Sequence, residues 1–173
     1  MFLKKDNLII RNAGAGDAET LCSWWNDGNI MAHAGFPKGL GTTPQRIAEQ
    51  LLPDDDDTRR RLILEIDSIP VGEMSYKNEG NGIADIGIKI CNTERQEKGF
   101  GTQFLKMLIG CLFYEKGYEK ILLDTNLENK RAQHVYEKIG FRRTAVKLDS
   151  WQDQLGRWQS AVYYELTKDD FKV

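Results

Sequence analysis

The stretch RQEKGFGTQFL, Arg95 to Leu105, sets two glycines, Gly99 and Gly101, directly before a run of apolar residues at helical spacing. Glycine is a poor helix former, so Gly-Phe-Gly at a helix mouth calls for a reason. One reason is a tight turn that needs no side chains. The other is a backbone cradle for an anion. A helix N-terminus leaves unpaired N–H groups and carries partial positive charge. Glycines let the chain turn sharply and let a ligand approach the backbone, and phosphates bind readily at such places. Beyond the glycines, Phe100, Phe104, Leu105, Leu108, Ile109, Leu112 and Phe113 predict a helix to about Lys116, stopped by Gly117.

Upstream lie three predicted strands. Arg61 to Asp67 alternates Leu62, Leu64 and Ile66 against Arg61, Ile63 and Glu65. After a turn at Asp67–Pro70, Val71 to Lys77 forms the second. Glu79-Gly80-Asn81-Gly82 is a hairpin turn, and Ile83 to Cys91 is the third strand. Downstream, Lys120 to Thr125 (KILLDT) reads as a buried strand. Asn129 begins a helix with Ala132, Val135, Tyr136 and Ile139 on one stripe, ended by Gly140. Phe141 to Leu148 and Ser160 to Leu166 are the last strands. At the other end, Leu8 to Arg11 is a first strand and Ala18 to Trp25 a short helix, broken by Asn26–Asn29. A second helix opens at Thr43-Pro44, with Thr43 as cap, and runs to about Leu52. Pro53 and Asp54 to Asp57 end it in what reads as a solvated acidic turn. The order is β-α-α-β-β-β-α-β-α-β-β. It predicts an α/β (α+β) fold, one mixed, mostly antiparallel sheet of about seven strands flanked by helices.

No repeat, low-complexity segment or linker interrupts this order, so residues 1–173 are expected to form a single domain. Apolar residues make up 40% and charged residues 29%, the balance of a soluble globular protein. A net charge of −2 gives no footprint for nucleic acid or for an anionic membrane. The start, MFLKKDNLII, has neither the apolar core nor the cleavage site of a signal peptide, and Phe100–Phe113 is too short to span a bilayer. Cys22, Cys91 and Cys111 lack metal-type spacing, and no metal site is expected. Reduced thiols and a cytoplasmic location are expected.

The glycine turn fails two nucleotide motifs. A P-loop needs Lys-Ser or Lys-Thr after its last glycine, and here Thr102-Gln103 follows Gly101. The dinucleotide fingerprint needs a third glycine where Phe104 stands. What remains is Gln96-x-x-Gly99-x-Gly101 and, after the next strand, Asn129-x-x-Ala132-x-x-x-Tyr136-x-x-x-Gly140-Phe141. Together these segments resemble the GNAT family of N-acetyltransferases. The resemblance is specific from about Ala84 to Phe141, and the order of elements extends it along nearly the whole chain. The start and the two-stranded end are similar to the branch with ribosomal-protein N-terminal, spermidine and some aminoglycoside acetyltransferases.

The resemblance implies acetyl-coenzyme A as cofactor and direct transfer of its acetyl group, through a ternary complex, to a primary amine. The acceptor it implies is a small amine or a protein or peptide N-terminus. It assigns the pyrophosphate to Gln96, Glu97, Lys98, Gly99, Phe100, Gly101 and Thr102. The pantetheine arm goes to Ile88, Lys89 and Ile90, where a bulge near Lys89–Cys91 would open a slot, and to Asn129, Ala132 and Tyr136. Tyr136 is implied as the acid that protonates the departing sulfur.

The reaction also needs a base, because a primary amine with a pKa near 10 is only about 0.1% neutral at pH 7. Asp85, eleven residues before Gln96, matches a strand carboxylate of some relatives and is the first candidate. Its alternative reading is a carboxylate facing solvent or pairing with a lysine. Glu73 and Glu65 are the other options. Cys91 leaves open a covalent acetyl-cysteine route.

The acceptor side is expected from the loop after the first helix, with Trp24, Trp25, Asp27, His33 and Phe36. It is also expected from the link between the last two strands, with Asp149, Trp151, Asp153 and Trp158. Homodimerisation, common among relatives, is left open by the sequence. A non-catalytic acyl-coenzyme A binding or sensing module is the alternative; it would have no use for Tyr136.

Overall fold

The computed structural model describes residues 1–95 and 98–172, the side chain of Arg95 excepted. The chain begins with a hairpin of β1 (Phe2–Lys5) and β2 (Leu8–Asn12). Three helices follow: α1 (Ala18–Trp25), the short α2 (Gly28–Met31) and α3 (Pro44–Leu51). The meander β3 (Arg59–Ile66), β4 (Ile69–Gly80) and β5 (Ile83–Ile90) leads to α4 (Phe100–Tyr114). Then come β6 (Lys120–Asn126), α5 (Lys130–Ile139), β7 (Arg142–Gln152) and β8 (Trp158–Thr167). The sheet order is β1-β2-β3-β4-β5-β6-β8-β7, antiparallel throughout except for the parallel pair β5–β6.

Among the described residues the sheet has eight strands rather than about seven. The extra one, β1, pairs Phe2 with Arg11 through Lys5 with Leu8. It is short, polar and mostly exposed at the sheet edge, so no buried face imprints alternation on its sequence. Helix α2 falls where the sequence reads as a break. Asp27 caps it by accepting from the Asn29 N–H at 2.8 Å. β7 runs to Gln152 instead of Leu148, past register shifts at Arg143/Ala145 and Lys147/Trp151 that break its alternation.

The alternation of β3 divides the interior. Leu62, Leu64 and Ile66 join Met74, Tyr76, Phe104, Leu108 and Tyr164 in the larger core, which packs α4 and α5. Ile63 points the other way, into a smaller core with Leu21, Trp25, Met31 and Ile47 from α1, α2 and α3. The acidic run is tied down rather than merely solvated. Asp55 accepts from the Asp57 and Thr58 N–H groups, Asp54 pairs with Arg59, and Asp56 pairs with Arg60.

The sheet is split on one side of its centre. β5 and β6 pair only from Ile83↔Lys120 to Asp85↔Leu122. Past Asp85, β5 stays on β4 and β6 stays on β8, so the two strands part into a wedge. The β4–β5 register is regular from Gly72↔Ile90 to Asn78↔Ala84. At the strand's end the N–H groups of Cys91 and Asn92 both donate to the Val71 carbonyl, at 2.8 and 3.0 Å. Two residues thus face one, the pattern of a bulge. It lies at the far edge of the expected Lys89–Cys91 segment, while the wedge itself comes from lost β6 pairing.

Candidate active site

The wedge opens a cleft of about 1090 Å³. Ile88 and Ile90 of β5 form one wall; Asn129, Ala132, Val135 and Tyr136 form the other; Gly99, Gly101 and Thr102 close one end. Main-chain polarity alternates along β5. Cys91 donates to β4, and the Gly82 carbonyl accepts from Lys120 of β6, so even-numbered residues face β6. The main chains of Ile88 and Ile90 therefore face the wedge. That of Lys89 is paired to β4 opposite Glu73, and its side chain lies between Met31 and Glu73, at 3.0 and 3.5 Å. Strand alternation thus sets Lys89 apart from the two isoleucines, where the three were expected to hold the pantetheine together.

Gly99 sits at φ 78, a left-handed conformation costly for any other residue. Among the described residues no side chain caps α4, so the first turn has N–H groups to offer another partner. Phe100 packs its ring on the larger core, which fixes the helix behind the turn. Lys98 is exposed beside the turn. Gln96 and Glu97 lie outside the described residues. Asn129 caps α5, accepting from the Ala132 N–H at 3.2 Å and donating to Thr125 Oγ at 3.3 Å. A narrow apolar slot with main chain along one side and an uncapped helix at its end fits a pantetheine arm and a pyrophosphate.

Tyr136 is 6% exposed and holds its ring against Phe141 and Tyr164, with centroids 5.9 and 5.8 Å away. Its hydroxyl bonds to no described residue, and the residue lines the cleft. Burial, then Asp124 and Tyr164, push its pKa up to about 12, so the phenol keeps its proton.

Asp85 lies outside this cleft. It lines a smaller hollow of about 470 Å³ with Ser75, Lys77 and Arg61, because the sheet is still closed at its level. Burial, then the charges of Asp124 and Glu79, push its pKa up to about 6. Among the described residues two carboxylates line the cleft, Glu128 just before the α5 cap and Asp124 of β6, and it is Asp124 that stands on the parting strand. It is open to the cleft, yet the surrounding protein removes enough water to raise its pKa. Sequence reasoning passed over Asp124; the signal available was a carboxylate inside the apolar run KILLDT, shortly before the helix cap Asn129.

A raised acid penalises the folded state once it ionises, so stability falls as pH rises through about 6. Asp85→Asn removes that penalty. Its melting temperature should exceed the parent's at about pH 8, with the gain gone by about pH 4, and its turnover should be intact. Calorimetry across pH checks the first point and a rate assay the second.

The other carboxylates and the thiol are occupied. Glu73 is 4% exposed and accepts from Trp25 Nε1 at 2.9 Å and Arg61 Nη1 at 2.6 Å. Glu65 pairs with Arg11 at 2.7 Å. Burial pushes the Cys91 thiol up to about 12, which leaves no thiolate for a covalent route.

The two segments expected on the acceptor side do meet. Gln154 N–H donates to the Gly35 carbonyl at 2.8 Å, its Nε2 donates to the Gly39 carbonyl, and Lys38 N–H donates to its Oε1. His33 and Trp151 line the cleft. Trp24 and Trp25 belong to the smaller core, Asp27 caps α2, and Asp153 is buried against Arg157. Phe36, Asp149 and Trp158 are exposed. A Cβ on Gly35 would come within 2.5 Å of the Trp151 ring at a φ of 96. Gly35→Ala should therefore cost about 2 kcal/mol and lower the melting temperature by roughly 4–8 °C, measurable by calorimetry.

No helix among the described residues is long and apolar enough to cross a membrane. Residues 7–142 match the family described as acetyltransferase (GNAT) domain. Aminoglycoside N(6')-acetyltransferase type 1 of Klebsiella pneumoniae is 28% identical over 152 residues, covering 80% of this chain and 75% of that protein. Among solved structures, a spermidine N-acetyltransferase from Vibrio cholerae in complex with CoA and spermine aligns with a TM-score of 0.82. It is 22% identical and covers 96% of this chain and 98% of that one. Ribosomal-protein-S5-alanine acetyltransferase from Vibrio fischeri aligns with a TM-score of 0.84 at 17% identity, each chain fully covered. The wedge and its glycine turn thus sit in the fold those proteins share, and the chain belongs to the GNAT family of acetyltransferases, with acetyl-coenzyme A as its acetyl donor.

Proposed function

We propose that the whole chain works as one domain that moves an acetyl group directly to a primary amine held beside the cofactor. Acetyl-coenzyme A supplies an activated thioester carbonyl and a thiolate leaving group. The Gly99–Thr102 turn holds the pyrophosphate on N–H groups, with Lys98 nearby. Ile88 and Ile90 offer main-chain partners, and Ala132 and Val135 exclude water from the opposite side. Asp124 takes the proton from the ammonium, directly or through one water, and its raised pKa suits it to that task better than an ordinary aspartate. The amine nitrogen attacks the carbonyl, the carbon–sulfur bond breaks, and Tyr136 gives its proton to the sulfur; the second proton of the attacking nitrogen, shed as the amide forms, passes through water to restore the phenol, while the first leaves Asp124 to solvent.

The observation that carries this reading is the Tyr136 hydroxyl, bonded to no described residue, on the same cleft as Asp124. A module that only senses acyl-coenzyme A needs neither group. The relatives' names, aminoglycoside and spermidine acetyltransferases, support an amine acceptor. Initial rates with both substrates varied test the direct route. Intersecting lines belong to a ternary complex, and parallel lines would replace it with a covalent acetyl-enzyme. A cytoplasmic location and a homodimer complete the proposal; light scattering in solution tests the second by giving one or two chain masses.

A further inference from the structure

Among the described residues two carboxylates, Asp124 and Glu128, and three cations, Lys89, Lys130 and Arg131, line the cleft. Glu128, Lys130 and Arg131 flank the Asn129 cap at the start of α5, on the cofactor wall, which leaves Asp124 and Lys89, on the two parting strands, for the acceptor. The Lys89 side chain is 26% exposed. Its ammonium donates to the Met31 thioether at 3.0 Å and stands 3.5 Å from Glu73. Glu73 is itself buried and serves two cations. Arg61 holds it at 2.6 Å while lying over the Trp25 ring at 4.8 Å, and Trp25 Nε1 takes the other oxygen. One carboxylate against two cations leaves a net charge of +1 in this cluster. An ammonium has three donors, and a thioether is a weak acceptor. The cluster therefore presents positive charge to the cleft at a place where burial strengthens it.

The sheet register sets the distance to Asp124. Asp85 is level with Leu122, so Gly87 is level with Asp124, and Lys89 lies two residues farther along β5. That is roughly 7 Å along the strand, with the parting of the strands added. The remaining acceptor-side groups, Asn29, His33 and Trp151, bring no second carboxylate. A polyamine would set a second ammonium against Lys89, and like charges that close repel.

We infer that the acceptor is an amino acid or similar carboxylate-bearing amine, its amine at Asp124 and its carboxylate at Lys89. This rests on the acetyl-transfer reading above and makes Lys89 a specificity-determining residue. Arg61 and Trp25 position it through Glu73.

The test uses pairs of acceptors that differ by the carboxylate alone: L-lysine against cadaverine, L-ornithine against putrescine, and 4-aminobutyrate against propylamine. The parent should favour the carboxylate member of each pair by at least tenfold in kcat/KM, the order expected of one charge-assisted hydrogen bond. Lys89→Met should erase most of that ratio through KM for the carboxylate member. Lys89→Arg should keep it, and calorimetric binding of acetyl-coenzyme A should show that both variants are folded. Equal use of both members, or preference for the bare amines, overturns the inference while acetyl transfer stands. An unchanged ratio in a folded Lys89→Met variant overturns it too. Transfer to no amine at all removes the acetyl-transfer reading, and this inference with it.

Discussion

Tyr136→Phe lowers kcat about 100-fold and leaves KM for acetyl-coenzyme A within about twofold. The substitution keeps the ring, and the ring is what the fold uses. It packs edge-on against Tyr164 and tilted against Phe141, contacts a phenylalanine reproduces. Only the hydroxyl goes, and no described residue loses a hydrogen bond with it. A stability loss is therefore not expected, and a fall in rate can be assigned to the proton it supplies. With the phenol held protonated up to about 12, the parent's rate should show no loss of this acid at neutral pH. Steady-state kinetics on the two proteins, with melting curves beside them, checks this. An unchanged kcat would take Tyr136 out of the chemistry and return it to the core.

Asp124→Asn acts on the other proton. A base must be ionised to work, so kcat/KM for the acceptor should fall as pH drops through the Asp124 pKa. Burial places that limb above the ordinary aspartate range. Asparagine keeps the shape and cannot accept the proton. The variant should lose about 100-fold in kcat/KM at neutral pH and show no acidic limb of its own. Asp85→Asn should keep the limb, since Asp85 lies outside the cleft. If the limb survives in Asp124→Asn and vanishes in Asp85→Asn, Asp85 is the base and Asp124 is not.

The placement of those two residues, Asp124 on the cleft and Asp85 in the smaller hollow, shows where the sequence stops being legible. Long periodic elements carried their own signals. The alternation of β3 divides two cores, and the apolar stripes of α4 and α5 identify their buried faces. Glycines at positive φ marked the ends that mattered: Gly99 at the mouth of α4 and Gly140 beyond α5. Asn81 and Gly82, both at positive φ, form the tight turn between β4 and β5. β1 and α2 lacked such signals, the first because it is a polar edge and the second because it spans a single turn.

The site depended on something no local pattern carries, namely where two parallel strands stop pairing. Asp85 and Asp124 are both carboxylates on neighbouring strands. The wedge opens between them along β5, past the level of one and at the level of the other. A bulge at Cys91–Asn92 and an alternating main chain then decide that Ile88 and Ile90, but not Lys89, face the slot with their peptide groups.

Catalysis in the wedge is tested by release of free coenzyme A when the purified protein is given acetyl-coenzyme A with a panel of amines. The panel would hold amino acids, diamines, spermidine, aminoglycosides and short peptides. Saturable release is expected with at least one of them, together with an acetylated amine of matching mass and loss of both in Tyr136→Phe. Binding of acetyl-coenzyme A without release on any amine would contradict the claim that this cleft is catalytic, and absence of binding would contradict the cofactor role of the glycine turn itself.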